Sequence, residues 1–181
     1  NMKVNDYVFK TNLISSERCD YIVNQLDQIN DWKKHEWYDP RKKTYFSYDK
    51  ELEVSHNQKF SLEINFYLKL CLDLYIKKYS IENSFQHFTK VRWNKYKAGT
   101  TMKPHCDLIR DIFDGELKGV PLLSFVGLLN NTFEGGEFVI NDEVINLNKG
   151  DILAFPSNFM YCHFVKEIKN GERISFVNWG F

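Results

Sequence analysis

Apolar positions recur at helical spacing in two stretches of the N-terminal half and at strand spacing through the C-terminal half. Cys19, Ile22, Val23, Leu26 and Ile29 fall on one side of a 3.6-residue repeat. Ser15 or Ser16 stands where an N-cap belongs, and Glu17 places a carboxylate in the first turn, where the helix dipole favours it. Phe60, Ile64, Tyr67, Leu68, Cys71, Leu74 and Tyr75 mark a second, thickly apolar helix running to about Tyr79. Val4–Phe9 reads as a short strand. Asp31–Asn57 is polar, basic at Arg41-Lys42-Lys43 and rich in Tyr and Trp. It reads as a long loop or irregular hairpin, and loops of that length usually carry function.

From Phe88 onward short apolar runs alternate with turn residues: Ala98-Gly99, Gly135-Gly136, Asn141-Asp142, Lys149-Gly150, Pro156-Ser157-Asn158 and Asn170-Gly171. The runs predict strands over Phe88–Tyr96, His105–Ile109, Leu122–Leu129, Glu137–Ile140, Glu143–Leu147, Asp151–Phe155, Tyr161–Val165 and Arg173–Trp179. Strands so closely spaced suggest a sandwich or jelly roll, mainly β with flanking helices (α+β).

The chain has 181 residues, 43% hydrophobic and 16% aromatic, which excludes wholesale disorder. No linker divides it, so residues 1–181 are expected to form a single domain, with helical support over 1–87 and the strands over 88–181. Lys+Arg and Asp+Glu are 24 each, a neutral balance that argues against nucleic-acid or anionic-membrane binding. No apolar run reaches the roughly 20 residues of a membrane helix, and the first residues carry no signal-type stretch. Cys19, Cys71, Cys106 and Cys162 show no CxxC pair. They are expected to be reduced, buried thiols in a cytoplasmic (intracellular) protein.

Three distant positions carry the chemistry. On a strand, His105 and Asp107 share a face while Cys106 points away. His163 follows on a later strand, and Arg173 lies beyond the turn Lys169-Asn170-Gly171. A two-residue Asn-Gly loop pairs Arg173 with Ile168 and turns it away from His163. A three-residue loop with a left-handed Gly171 pairs it with Glu167, and brings it and Ser175 to the His163 side. The three-residue loop is the one expected, with Glu167 as a rival partner for Arg173. Two His and one Asp with open positions opposite are the facial triad of non-haem Fe(II) oxygenases. An Arg in the same cavity suits a carboxylate, gripped by two parallel hydrogen bonds.

With those residues in place, the sequence resembles the 2-oxoglutarate- and Fe(II)-dependent oxygenases, most closely their prolyl 4-hydroxylase branch. The likeness runs through Tyr96-Lys97-Ala98-Gly99, Pro104-His105-Cys106-Asp107, Leu129-Asn130, Phe133-Glu134-Gly135-Gly136-Glu137, Gly150-Asp151, Phe155-Pro156, His163 and Gly171-Glu172-Arg173-Ile174-Ser175 to Trp179. It implies a double-stranded β-helix (jelly roll) core supported by N-terminal helices. It makes His105, Asp107 and His163 the iron ligands, and puts Tyr96, Arg173 and Ser175 on the distal carboxylate of 2-oxoglutarate. It further implies that O2 is a cosubstrate, that succinate and CO2 are released, and that an aliphatic C–H is hydroxylated. No catalytic residue beyond the metal ligands is required. A prolyl residue in a peptide or protein is the expected substrate. A free amino acid or other small molecule is the alternative, and a non-redox cupin-like metal-binding protein is a different class. Asp31–Asn57 and Leu108–Lys118 are the expected substrate covers.

Overall fold

The computed structural model describes residues 3–39, 41–107 and 120–181. After a short 3-10 turn (Val4–Tyr7), the chain runs β1 (Phe9–Asn12), α1 (Ser16–Leu26), β2 (Lys33–Lys34), β3 (Trp37–Asp39), β4 (Thr44–Phe46), β5 (Glu53–Ser55) and α2 (Ser61–Tyr79). There follow β6 (Arg92–Lys97), β7 (Met102–His105), β8 (Leu123–Leu128), β9 (Phe133–Gly135), β10 (Phe138–Ile140), β11 (Glu143–Ile145), β12 (Asp151–Pro156), β13 (His163–Val165) and β14 (Ile168–Gly180). The strand expected at Val4–Phe9 is displaced: those residues turn, and pairing with β12 begins at Phe9. The Leu108–Ile109 end of the second expected strand and the Leu108–Lys118 cover lie outside the described residues.

Two antiparallel sheets build the jelly roll. The larger has the order β1-β12-β8-β14-β6-β5-β2, and the smaller β11-β10-β13-β7. Strand alternation separates two cores. Trp93, Phe125, Ile152, Ala154, Ile174 and Phe176 face α1 and α2. Their sequence neighbours Val126, Leu153, Phe155 and Val177 face the smaller sheet, where they meet Met102, Phe138, Ile140 and Val165. Both faces of the larger sheet are therefore covered, which is why β8 and β12 are apolar almost throughout rather than alternating.

The helices form where their patterns place them, except that α1 ends at Leu26 and leaves Ile29 beyond it. Ser15 Oγ caps α1 by accepting from the Arg18 amide at 3.2 Å. Arg18 ties α1 to α2 through two bonds to Glu63, 2.7 and 2.6 Å. On α2 the buried stripe is Ile64, Leu68, Cys71, Leu72 and Tyr75. Leu74, assigned to that stripe by spacing, is instead 41% exposed. No helix among the described residues is long and apolar enough to cross a membrane.

Close packing of α2 and the sheet depends on a small residue at Gly127, where a Cβ would run into the Phe176 ring. Gly127→Ala should therefore destabilise the fold by about 1–3 kcal/mol, read as a lower urea midpoint with an unchanged slope.

Cys19 and Cys71 are free and buried. Cys106 and Cys162 correct the expectation of four reduced, buried thiols, for they form a disulfide, and Cys162 is exposed. His105 and His163 are direct cross-strand partners, so the cysteines flanking them meet, with Cα atoms 4.6 Å apart.

Candidate metal centre

His105 ends β7, His163 begins β13, and the two stand opposite each other. Asp107 is not on the strand, as alternation implied. The strand ends at His105, and the chain returns the Asp107 carboxylate to the same place. Its Oδ1 lies 3.4 Å from His105 Nε2 and 3.7 Å from His163 Nε2. One ligand atom from each residue falls within 4.8 Å of the others.

Backbone carbonyls orient both rings. His105 Nδ1 donates to the Lys103 carbonyl at 2.8 Å and His163 Nδ1 to the Tyr161 carbonyl at 3.0 Å. A carbonyl only accepts, so each Nδ1 carries the proton and each Nε2 turns its lone pair into the shared space. Phe138 stacks on the His163 ring and Phe155 meets it edge-on, with centroids at 5.5 and 4.9 Å. Burial works against the Asp107 charge. The two imidazoles facing it, His105 foremost, and the hydroxyl of Ser124 prevail, and they hold its carboxyl well below the usual range. Burial keeps His163 below its ordinary value, hence neutral, as a metal ligand must be. Ser124 Oγ donates to Asp107 Oδ2 at 2.7 Å and leaves Oδ1 aimed at the imidazoles. Ser124→Ala should weaken Mn(II) binding by roughly 10–100-fold, as loss of an outer hydrogen-bond partner typically does. Metal titration with circular dichroism as the folding control checks this.

Arg173 reaches this cavity by a route different from the one expected. No hairpin joins His163 to Arg173: β13 pairs with β10 and β7, whereas β14 pairs with β6, β8 and β9. The chain changes sheets between Val165 and Ile168, so Arg173 faces His163 from across the sandwich. Directly opposed residues share a face, and Arg173 opposes Tyr96, Ser175 opposes Asn94 and Val177 opposes Arg92. On the other flank of β14, Val177 opposes Val126 and Trp179 opposes Ser124. All of these except Ser124, which lies behind Asp107, line one pocket with His105, Asp107 and His163.

Arg173 is 1% exposed. It donates to Ser175 Oγ at 2.8 Å and lies 5.2 Å from the Tyr96 ring centre, and its Nε has no partner. Among the described residues no carboxylate pairs with it. Glu167, the expected rival, is half exposed and bound to Lys50 at 2.8 Å. Burial works against the Arg173 charge and lowers its pKa, yet a guanidinium starts too basic to give up its proton; burial raises the Tyr96 pKa, so the phenol keeps its proton. A buried cation without a counter-ion is costly, and it suits an anion that arrives from outside. Asn130 holds β14 on both sides of Arg173, donating to the Glu172 carbonyl at 2.8 Å and accepting from the Ile174 amide at 2.9 Å. At Gly136, with φ +66°, a Cβ would come within 3.3 Å of Arg173 Cδ.

The converging donors fit a divalent metal, and the unpaired guanidinium fits the far carboxylate of a dicarboxylic acid. The sequence reading gave no site role to Arg92, Asn94, Ser124, Phe138 or Phe155. Alternation back along β6 from Tyr96 would have found the first two. Asp31–Asn57 is not a plain loop: it contributes β2 to β5, and β5 joins β6. Trp37 from this region meets His105 edge-on at 5.2 Å and donates to Glu51 at 2.7 Å.

Residues 91–181 match the family model of the 2OG-Fe(II) oxygenase superfamily. A PKHD-type hydroxylase of Prochlorococcus marinus strain MIT 9301 is 29% identical over 182 residues, covering 92% of this chain and 74% of that protein. Two other PKHD-type hydroxylases of the species are matched over only 23% and 28% of their lengths. The fold is shared with a viral collagen prolyl hydroxylase from Paramecium Bursaria Chlorella virus-1 in its 2OG complex (TM-score 0.65, 18% identity, 98% of each chain). It is also shared with a Trichoplax adhaerens prolyl hydroxylase in complex with a hypoxia inducible factor peptide (TM-score 0.68, 19% identity, 96% of this chain and 83% of that one).

Proposed function

Because this chain belongs to the 2OG-Fe(II) oxygenase superfamily, we propose that it hydroxylates an aliphatic C–H of a prolyl residue in a peptide or protein. His105, Asp107 and His163 hold Fe(II), and Arg173, Tyr96 and Ser175 hold 2-oxoglutarate. The observation that carries this reading is a buried guanidinium, unpaired among the described residues, in the same pocket as the three converging donors. When bound, iron and 2-oxoglutarate supply the oxidising chemistry: O2 is consumed, 2-oxoglutarate leaves as succinate and CO2, and one oxygen atom enters the substrate C–H.

The protein's own part is positioning and enclosure. His105 Nε2, His163 Nε2 and an Asp107 carboxylate oxygen would hold the metal, a three-donor set that suits non-haem Fe(II) chemistry with cosubstrates. Arg173 and the Ser175 hydroxyl set the depth of the diacid, and Tyr96 closes the end of the pocket with its phenol protonated. Val126, Phe138 and Val177 form apolar walls that keep water from the reacting centre. The prolyl assignment draws support from the shared fold of the prolyl hydroxylases named above. Succinate formation with Fe(II), 2-oxoglutarate and O2, run across proline-rich peptides and free amino acids, tests it. Peptide-dependent succinate with matching hydroxyproline is expected. Turnover of a free amino acid but of no peptide would defeat the peptide assignment.

A further inference from the structure

We infer that Arg92 and the indole N–H of Trp179 form a second anion site, on the substrate side of the metal pocket, so that the substrate carries a carboxylate close to the carbon being hydroxylated. This rests on the reading that the pocket binds metal and 2-oxoglutarate.

Arg92 stands opposite Val177, and Arg173 lies four residues back along β14, so the two cations are offset by about 13 Å along the sheet. Ser124, which holds Asp107, stands opposite Trp179. Arg92 and Trp179 therefore sit at the metal end of the pocket and Arg173 at the far end. One short diacid anchored at Arg173 leaves the second guanidinium unanswered.

The local chemistry is that of a waiting donor set. Arg92 Nε donates to Asn94 Oδ1 at 3.2 Å, which fixes the plane of the guanidinium and leaves its terminal N–H groups for another partner. Its carbon lies 5.2 Å from the centre of the Trp179 ring. Among the described residues Arg92 forms no salt bridge, and the buried Trp179 Nε1 has no acceptor. Two donors without acceptors in one wall ask for an anion with two oxygens. Arg92 also walls an outer groove that carries Lys33 and Lys34 together with Asp31 and Glu36, the Asp31 carboxylate being engaged by Ser55 Oγ at 2.6 Å. The guanidinium thus lies where that groove meets the metal pocket. The carboxylate has two sources, a free α-carboxylate on the reacting residue or an acidic side chain beside it in a peptide.

Binding to protein loaded with Mn(II) and 2-oxoglutarate tests this without turnover, read as paramagnetic broadening of the probe's ring-proton signals. The probes are N-acetyl-L-proline against its amide, and end-capped peptides with Asp against Asn beside a proline. Tighter binding of the charged member of either pair is expected, and the winning pair identifies the source. In Arg92→Gln the charged probe should weaken by about 10–100-fold, the worth of a hydrogen bond to a charged group, while its neutral partner is unmoved. Arg92→Lys should recover part of the loss, and 2-oxoglutarate affinity should not change. Equal binding of charged and neutral probes, broadening of neither, or an unaltered Arg92→Gln would overturn the inference. So would a matching loss of 2-oxoglutarate affinity, which would assign Arg92 to the cosubstrate. Charge-selective binding with no hydroxyproline formed under turnover conditions would instead sink the prolyl hydroxylase reading and leave the anion site standing.

Discussion

Asp107→Ala should reduce Fe(II)-dependent succinate formation to background and abolish stoichiometric Mn(II) binding. Its carboxylate is the one anionic donor in the cluster, and its Oδ1 is the atom on which both imidazoles converge, at 3.4 and 3.7 Å. Loss of an outer partner typically costs roughly 10–100-fold in metal affinity, and loss of the charged ligand should exceed that. The fold should survive. Ser124 keeps its bond to Ser157 at 2.7 Å, and both imidazoles keep their carbonyl acceptors. Calorimetric Mn(II) titration alongside circular dichroism checks the prediction. A variant that binds Mn(II) as tightly as the parent would remove Asp107 from the ligand set.

Arg173→Met should move stability and function in opposite directions. In the metal-loaded protein the dissociation constant for 2-oxoglutarate should rise by two to three orders of magnitude, about 3–4 kcal/mol, as expected when one partner of a buried charge pair is lost. The apoprotein should become more stable by about 1–3 kcal/mol, because a desolvated guanidinium with an unsatisfied Nε is replaced by an apolar chain of similar length. Thermal melting of the apoprotein and 2-oxoglutarate titration measure the two effects separately. A lower melting temperature with unchanged 2-oxoglutarate affinity would mean that Arg173 serves the fold rather than an anion.

Much of this architecture was legible in the chain. Period and capping located α1 and α2, because Ser15 and the apolar stripes act locally. Most β-strands of the second half were visible as short apolar runs between turn residues, but β9 was not foreseen and β7 lies ahead of the expected His105–Ile109, meeting it only at His105. The spatial partners of those strands were less accessible. Asn170-Gly171 reads as a hairpin turn between His163 and Arg173, yet β14 begins at Ile168 and pairs with β9, β6 and β8. Turn chemistry reports how the chain reverses, not which sheet it joins, and a jelly roll moves between sheets at such points. Tyr96, Arg173 and Ser175 share a wall as expected, for the different reason that β6 and β14 are neighbours. Asp107 reaches His105 through the end of a strand, and the Cys106–Cys162 link follows from a pairing that spacing alone does not reveal. Strands as short as β2 to β5 carry too few residues for a period, so the region over the site read only as a long loop or irregular hairpin.

The central claim is that three side chains hold one metal and that Arg173 anchors a dicarboxylate beside it. Anaerobic calorimetric titration of 2-oxoglutarate into Fe(II)-loaded and metal-free protein addresses this most directly. One molecule per chain should bind the loaded protein saturably, and much more weakly once the metal is removed. Equal affinity with and without Fe(II), or no binding to either form, would contradict it.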